Sequence, residues 1–206
     1  MKLILLPFAL ALTLGVSGAF QRWEKISENG FAVDMPGKPV RKSNDIPTDA
    51  GTATGWMLTV DNGAEAFIVA WNDFPASVSV MNADPKVLLA AASKGALEEI
   101  NGTTSSERYF TLGPHPAYEV FGEGSKDGRD LEFRSRMYWA KPRLIQTLQI
   151  SEKGRGSRVN GMTFLDSFKF TSSEPGQPHG ENDALIKLGS KFPGKFVADH
   201  LVRVFQ

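Results

Sequence analysis

The fold of this chain is decided by RDLEFRSRMYWA, residues 129–140, the most regular alternating segment of the sequence. Apolar side chains fall mainly on one face and polar side chains mainly on the other, with the two-residue period of a half-buried strand. The first face takes Leu131, Phe133, Ser135, Met137 and Trp139, and the second takes Asp130, Glu132, Arg134, Arg136 and Tyr138. The pattern predicts a long strand that packs its first face on a core.

Segments on either side of it predict further strands of the same sheet. Residues 106–112 and 117–123 predict two strands, and residues 143–150 return after Pro142, which ends the 129–140 strand because proline has no N–H to donate. Residues 113–116 form one turn, and Asp127-Gly128 favours a tight turn of another hairpin. An antiparallel meander is therefore expected.

A second hairpin is predicted upstream. Residues 54–61 and 64–72 flank Asn62-Gly63, the favoured pair for a type I′ turn with positive φ at both positions. The second of these strands is apolar on both faces, which is typical of a central strand covered on both sides. Residues 30–35 predict one more strand, whereas the Asn, Asp, Thr, Pro and Gly of residues 43–53 predict a loop.

Helical signals interrupt the strands twice. Asp84-Pro85 opens a helix, since Asp caps free amides and Pro fits the first turn. Apolar or small residues then recur at helical spacing at Leu89, Ala92, Ala96 and Ile100. A shorter helix is expected at residues 157–165. This order predicts an α+β fold, a mostly antiparallel sheet of about 6–7 strands with helices packed on it.

The two ends of the chain differ from its middle. A positive start, an apolar run over residues 3–16 and the small residues Ser17-Gly18-Ala19 predict a signal peptide at 1–19, cleaved before Phe20. No transmembrane segment is expected after cleavage, because no later segment has the roughly 20 apolar residues that a spanning helix needs. Residues 20–170 form one domain, and Ser, Pro and Gly predict a linker and weakly structured tail at 171–206. We expect a periplasmic or secreted bacterial protein.

Composition excludes several classes of function. Lys+Arg and Asp+Glu number 23 each, so there is no basic excess to favour nucleic acid. There is no cysteine, hence no thiol nucleophile and no thiolate metal site. The three histidines, His115, His179 and His200, lack metal-ligand spacing, and Ser167 lacks the glycines of a nucleophile elbow. We assign no catalytic residue, metal or cofactor.

Two short motifs carry a resemblance to a known family. Residues 30–39, GFAVDMPGKP, resemble the opening of many exported bacterial proteins of an uncharacterised family, and residues 164–168, FLDSF, resemble their ending. Those proteins resemble the PsbP-like α/β/α sandwich superfamily, named for an extrinsic subunit of the photosynthetic oxygen-evolving complex. The resemblance covers about residues 23–170. It implies a sandwich that acts as a binding or assembly module, with no shared catalytic residues.

The polar face of the 129–140 strand is the candidate binding site. Glu132, Arg134 and Arg136 project together, with Tyr138 beside them. A solvated sheet face explains these charges without a function; alternatively, two guanidinium groups hold a carboxylate or phosphate bidentately.

The function expected from these observations is that of an exported, non-catalytic binding or assembly module of the cell envelope. Its partner would be an unknown envelope protein or a small acidic ligand. The alternative is a periplasmic hydrolase with paired carboxylates in a cleft, for which Asp34 and Glu119 are candidates.

Overall fold

A computed structural model describes residues 22–48, 51–74 and 83–171 of the chain. The predicted signal peptide at 1–19 and the predicted tail from residue 172 onward lie outside the described residues. Within the described ranges the elements are β1 (Glu24–Glu28), β2 (Phe31–Met35), β3 (Val40–Thr48), β4 (Gly51–Asp61), β5 (Glu65–Asp73), α1 (Pro85–Glu98), β6 (Thr103–Leu112), β7 (His115–Lys126), β8 (Arg129–Ala140), β9 (Arg143–Glu152), α2 (Arg158–Ser167) and β10 (Lys169–Phe170).

Seven of the strands form one antiparallel sheet in the order β3-β4-β5-β9-β8-β7-β6. Two meanders, β3–β5 and β6–β9, meet where β5 pairs with β9. The prediction that the strand after Asn62-Gly63 is central is confirmed, because β5 lies inside the sheet and is buried along nearly its whole length.

Helix α1 covers one face of this sheet. Its first turn is capped as expected, since Asp84 Oδ1 accepts from the Lys86 amide at 2.8 Å. Leu88, Leu89 and Ala92 lie against a core that includes the first face of β8. Neither helix in the described part of the chain is long and apolar enough to cross a membrane.

The small sheet β1-β2-β10 and helix α2 cover the other face. Their core is largely aromatic: Phe164 of α2 meets Phe67 of β5 edge-on at 5.4 Å between ring centroids, and Phe31 stacks on Phe168 at 5.5 Å. Ser157 caps α2 by accepting from the Asn160 amide at 3.1 Å. With both faces covered, the domain is an α+β sandwich, as predicted.

The predicted loop at residues 43–53 is wrong. Strand β3 runs to Thr48 and pairs in continuous register with β4, from Val40–Thr59 to Thr48–Gly51. A strand at the end of a sheet pairs through its backbone on one side only, so it tolerates the polar residues and the proline that suggested a loop.

The two predicted tight turns have different outcomes. Asp127 and Gly128 have φ of +52° and +76°, as the two central positions of a type I′ turn require. Among the described non-glycine residues only Asn101 and Asp127 have positive φ, so the type I′ prediction for Asn62-Gly63 is wrong. Asn62 Oδ1 instead accepts from the amides of Ala64 and Glu65 at 3.0 and 2.9 Å, an Asx turn that holds a longer loop.

Candidate functional site

The polar face of β8 lies on the side of the sheet that α2 and β10 cover. Arg136 is 8% exposed and Tyr138 only 1%, whereas Arg134 and Glu132 are partly exposed. The Tyr138 ring stacks on Phe168 at 4.3 Å, and burial raises the pKa of its phenol to about 12. The expectation of a solvated sheet face is therefore wrong for Arg136 and Tyr138.

Arg136 belongs to a row of alternating charges that crosses this face. Its Nε donates to Glu119 Oε2 at 2.6 Å, and its Nη1 lies 2.8 Å from Asp166 Oδ1 of α2. Glu119 Oε1 accepts from Arg108 Nε at 2.5 Å. We call Asp166, Arg136, Glu119 and Arg108 the ion-pair row. Its centre is buried, and its ends are open, with the side chains of Asp166 and Arg108 62% and 61% exposed.

Electrostatics within the row favour the ionised forms of Arg108, Glu119 and Arg136. Burial alone would raise the pKa of the Glu119 carboxyl, but the hydrogen bonds from Arg108 and Arg136 bring it below its ordinary value. Burial would likewise lower the pKa of Arg136, and its bonds to Glu119 and Asp166 raise it instead. A general acid needs the opposite shift, so Glu119 does not have the environment of the protonated carboxyl in the hydrolase alternative.

Arg134 lies in a second polar network beneath the start of α2. Its Nη1 donates to Gln149 Oε1 at 2.8 Å, and Gln149 Nε2 donates to the buried Glu65 carboxylate at 2.8 Å. Glu65 also accepts from the Ser157 amide and from Asn160 Nδ2, both at 3.0 Å. These contacts tie the first turn of α2 to the sheet. Arg134 and Arg136 are thus engaged separately, and their binding of an acidic ligand stays a prediction in which the anion must compete with Glu119, Asp166 and Gln149.

Other residues singled out from the sequence have structural surroundings. Ser167 ends α2: its Oγ accepts from the Asp34 amide at 2.9 Å and donates to the Phe164 carbonyl at 2.7 Å. The His115 ring lies 4.0 Å from that of Phe170, and burial lowers its pKa. His179 and His200 lie outside the described residues. In the described part of the chain, no three His, Asp or Glu side chains converge as metal ligands.

His115 also lines an open depression at the end of the sheet. This depression measures about 540 Å³ and is walled by Trp139, Lys141 and prolines at 85, 114 and 116. Its lining offers few convergent polar groups, so it does not define a ligand by its chemistry.

The outer side of β6 is a feature that the sequence analysis missed. Strand β6 ends the large sheet, no described strand pairs with its outer side, and every residue from Thr103 to Tyr109 is exposed. A two-residue turn makes Leu112 and His115 a hydrogen-bonded pair. From Leu112 back along β6, residues whose backbone groups point towards β7 therefore alternate with residues whose backbone groups point away from it. Glu107, Tyr109 and Thr111 therefore direct their N–H and C=O groups away from β7. The position of Pro116 fits this pattern, because it lies opposite Thr111, where no N–H is needed for the β6–β7 ladder. We call residues 107–111 the β6 edge.

The two ends of the same sheet differ in protection. The opposite end, β3, carries Arg41, Lys42, Asp45 and Pro47, residue types that block pairing with another chain. The β6 edge contains Tyr109, Phe110 and Thr111, which favour β structure, and it contains neither lysine nor proline. Its protective features are a bulge between Thr104 and Ser106 and the charges at Glu107 and Arg108. No strand of the described residues pairs with the outer side of the β6 edge, so its outward backbone groups are available to an added strand over residues 107–111.

No protein-family model matches this chain, and neither does any curated protein. Solved structures similar to it include cyanobacterial PsbP (CyanoP) from Synechocystis sp. PCC 6803, at 11% identity and a TM-score of 0.48, covering 77% of this chain and 99% of that one.

Two further similar structures come from Pseudomonas aeruginosa. PA94, a protein of unknown function, has 12% identity and a TM-score of 0.36, over 65% of this chain and 85% of its own. The T6SS immunity protein TplEi, complexed with "L" peptide, has 13% identity and a TM-score of 0.33, over 71% of this chain and 59% of its own. Likeness at this level carries no argument about function, which has to come from the site.

Proposed function

We propose that this protein is an exported, non-catalytic binding module of the bacterial cell envelope, and that it takes up an extended segment of a partner protein as an additional strand beside β6. The observation that carries the proposal is the β6 edge, an open strand on a sheet whose opposite end is protected by charges and a proline. The charged, apolar and small-residue pattern of residues 1–19 supports export.

Strand addition requires little beyond what this edge provides. A guest segment opposite residues 107–111 meets three outward N–H and three outward C=O groups, at about 0.5–1.5 kcal/mol net for each bond formed. Strands β7 and β8 hold β6 in register from Ser106 to Leu112, so the edge is ordered before the guest arrives. Preorganisation of this kind lowers the entropic cost of binding.

The matched variants Thr111→Pro and Thr111→Val test this function. Proline removes an outward N–H without touching the β6–β7 ladder, because Thr111 faces Pro116 in a non-hydrogen-bonded pair. Valine keeps the N–H and the β-branched shape. We expect wild type and Thr111→Val to retain the same proteins from an envelope extract, and to show slowed hydrogen exchange at the amides of Glu107, Tyr109 and Thr111 in the complex.

The proline variant should lose both effects while melting cooperatively like the valine variant. If Thr111→Pro retains the same partners as Thr111→Val, or if bound partners leave the exchange of those three amides unchanged, binding does not occur by strand addition at β6.

A further inference from the structure

We propose that the segment added beside β6 is acidic: it carries a Glu or Asp opposite Arg108 and, two residues earlier, an apolar side chain opposite Phe110. This inference rests on the proposed function, since it specifies the partner at the same edge. We infer that the guest strand runs antiparallel to β6, because every pair of strands in this sheet is antiparallel.

The hydrogen-bond pattern places Arg108 where a guest side chain approaches most closely. Arg108 and Phe110 use their backbone groups for β7, so each forms a non-hydrogen-bonded pair with the guest residue opposite. In such pairs the Cα atoms are about 4.5 Å apart, closer than in hydrogen-bonded pairs, and the facing side chains are in contact.

The ion-pair row leaves a positive charge at this position. From the helix to the edge, the charges run Asp166, Arg136, Glu119, Arg108. Among the described residues, the buried Arg136 pairs with two carboxylates, Glu119 and Asp166, whereas Arg108 pairs with Glu119 alone. A guanidinium group has five N–H donors, and the contact with Glu119 engages Nε, so the Nη donors of Arg108, on a side chain that is 61% exposed, suit a second carboxylate.

On the other face of the edge, the carboxylate of Glu107 repels the same acid. Tyr109 and Glu107 project there, and the Glu107 carboxylate accepts from the Tyr118 hydroxyl at 2.5 Å. Because the side-chain period of a strand is two, a guest acid displaced by one residue lies beside Glu107 or Tyr109 rather than Arg108. Like charges facing across strands are destabilising. The edge therefore selects an apolar residue and an acid that lie on one face of the guest, two positions apart.

Phe110 completes the recognition of that pair. It is partly buried in the second core, and the guanidinium groups of Arg108 and Arg136 lie 5.4 and 5.8 Å from its ring centroid. An apolar guest residue opposite Phe110 extends this contact and shields the neighbouring ion pair from water, which strengthens it.

The probes are three peptides with acetylated and amidated ends, TTVTETT, TTVTQTT and TTVETTT, titrated into full-length protein and followed by NMR at the amides of residues 107–111. The first places Val and Glu on one face, the second removes the charge, and the third has the composition of the first with Val and Glu on opposite faces. We expect TTVTETT to bind about 1.5- to fivefold more tightly than either control at low salt, the range for an exposed ion pair. The preference should decline in 0.5 M salt.

Variants separate this inference from the function on which it rests. Arg108→Gln should bind all three peptides equally, and Arg108→Lys should keep part of the preference; a thermal melt of each controls for folding. One outcome would overturn the acidic specificity and still support strand addition: wild type binds TTVTETT and TTVTQTT with equal affinity, and Thr111→Pro binds neither. No binding of any peptide, or binding unaffected by Thr111→Pro, would overturn both.

Discussion

Removing the Glu65 carboxylate should release helix α2 from the sheet. Glu65 is 3% exposed and accepts three hydrogen bonds: Oε2 from Gln149 Nε2 and the Ser157 amide, and Oε1 from Asn160 Nδ2. A hydrogen bond to a charged group contributes about 1.5–3 kcal/mol, and a buried donor left without a partner costs a similar amount. Because the three bonds share one acceptor group and are not additive, Glu65→Ala should lower the free energy of unfolding by about 3–4 kcal/mol.

Glu65→Gln is the matched control. Two donors meet at Oε2 and the third donor meets Oε1, so a glutamine can keep its oxygen at the first position. Its NH₂ group then faces Asn160, whose amide can rotate to offer its oxygen. Only the charge is lost, and we expect a loss of about 1 kcal/mol.

Urea unfolding at pH 7 measures both variants, and hydrogen exchange of the α2 amides reports on the helix itself. Exchange in α2 should accelerate strongly in Glu65→Ala and weakly in Glu65→Gln. The reasoning fails if the two variants lose the same stability, or if Glu65→Ala loses less than about 1 kcal/mol, because α2 would then be held by its apolar contacts alone.

Four further outcomes are expected. Gly161→Ala should lower the free energy of unfolding, because the added Cβ would lie 2.8 Å from Gln149 Oε1. Alanine otherwise favours helices over glycine by about 1 kcal/mol, so a variant that is more stable in urea unfolding would refute this. Lower pH should remove the stability that Glu119 provides, because its depressed pKa makes that contribution present above the ordinary value of 4.5 and lost as the pH falls below it. In urea titrations between pH 7 and pH 3, Glu119→Gln should therefore lose less stability than wild type, and an equal loss would contradict the assignment. Absorbance titration should show the tyrosines of native protein ionising at higher pH than those of the unfolded chain, because the pKa is raised at all three, Tyr109, Tyr118 and Tyr138. Stability should therefore be lost as pH rises above the ordinary value of 10.0, and native tyrosines that ionise like unfolded ones would contradict this. Intact mass of exported protein should place the mature N-terminus at Phe20, and retention of residues 1–19 would disprove cleavage.

Local patterns predicted both helices and most of the strands, and the part of the ion-pair row formed by Arg108, Glu119 and Arg136 was also within reach of the sequence. The two-residue turn at Asp127-Gly128 pairs Lys126 with Arg129, and seven steps outward along both strands pair Glu119 with Arg136. The next turn pairs Leu112 with His115, and four steps outward pair Arg108 with Glu119. Alternation along β8 alone suggested a solvated arginine face, because a single strand carries no information about its neighbours' charges.

The position of α2 on the sheet could not be predicted by counting residues outward from the turns. Asp166 reaches Arg136 only because α2 crosses the sheet, and α2 crosses there because a buried carboxylate on β5 binds its first turn. In sequence Glu65 is one charged residue in a hairpin, 92 positions from Ser157. Pairing over such a separation has no local period to reveal it, so the cover over Tyr138 was not foreseen.

The same difficulty hid the open edge. Two antiparallel meanders can join through more than one pair of strands, and the outer strands depend on which pair is used. The pair used is β5 with β9, but β9 has the polar residues Gln146, Thr147, Gln149 and Ser151, all buried. Those residues conceal its central place, because an alternating strand with polar positions is typical of a half-exposed one. With β9 inside, β6 is left at the end of the sheet, and the positive end of the ion-pair row lies beside the backbone groups that a guest strand would use. The proposed binding affinity and the proposed charge selectivity thus rest on one topological fact, and Thr111→Pro and Arg108→Gln, three residues apart on one strand, should affect them separately.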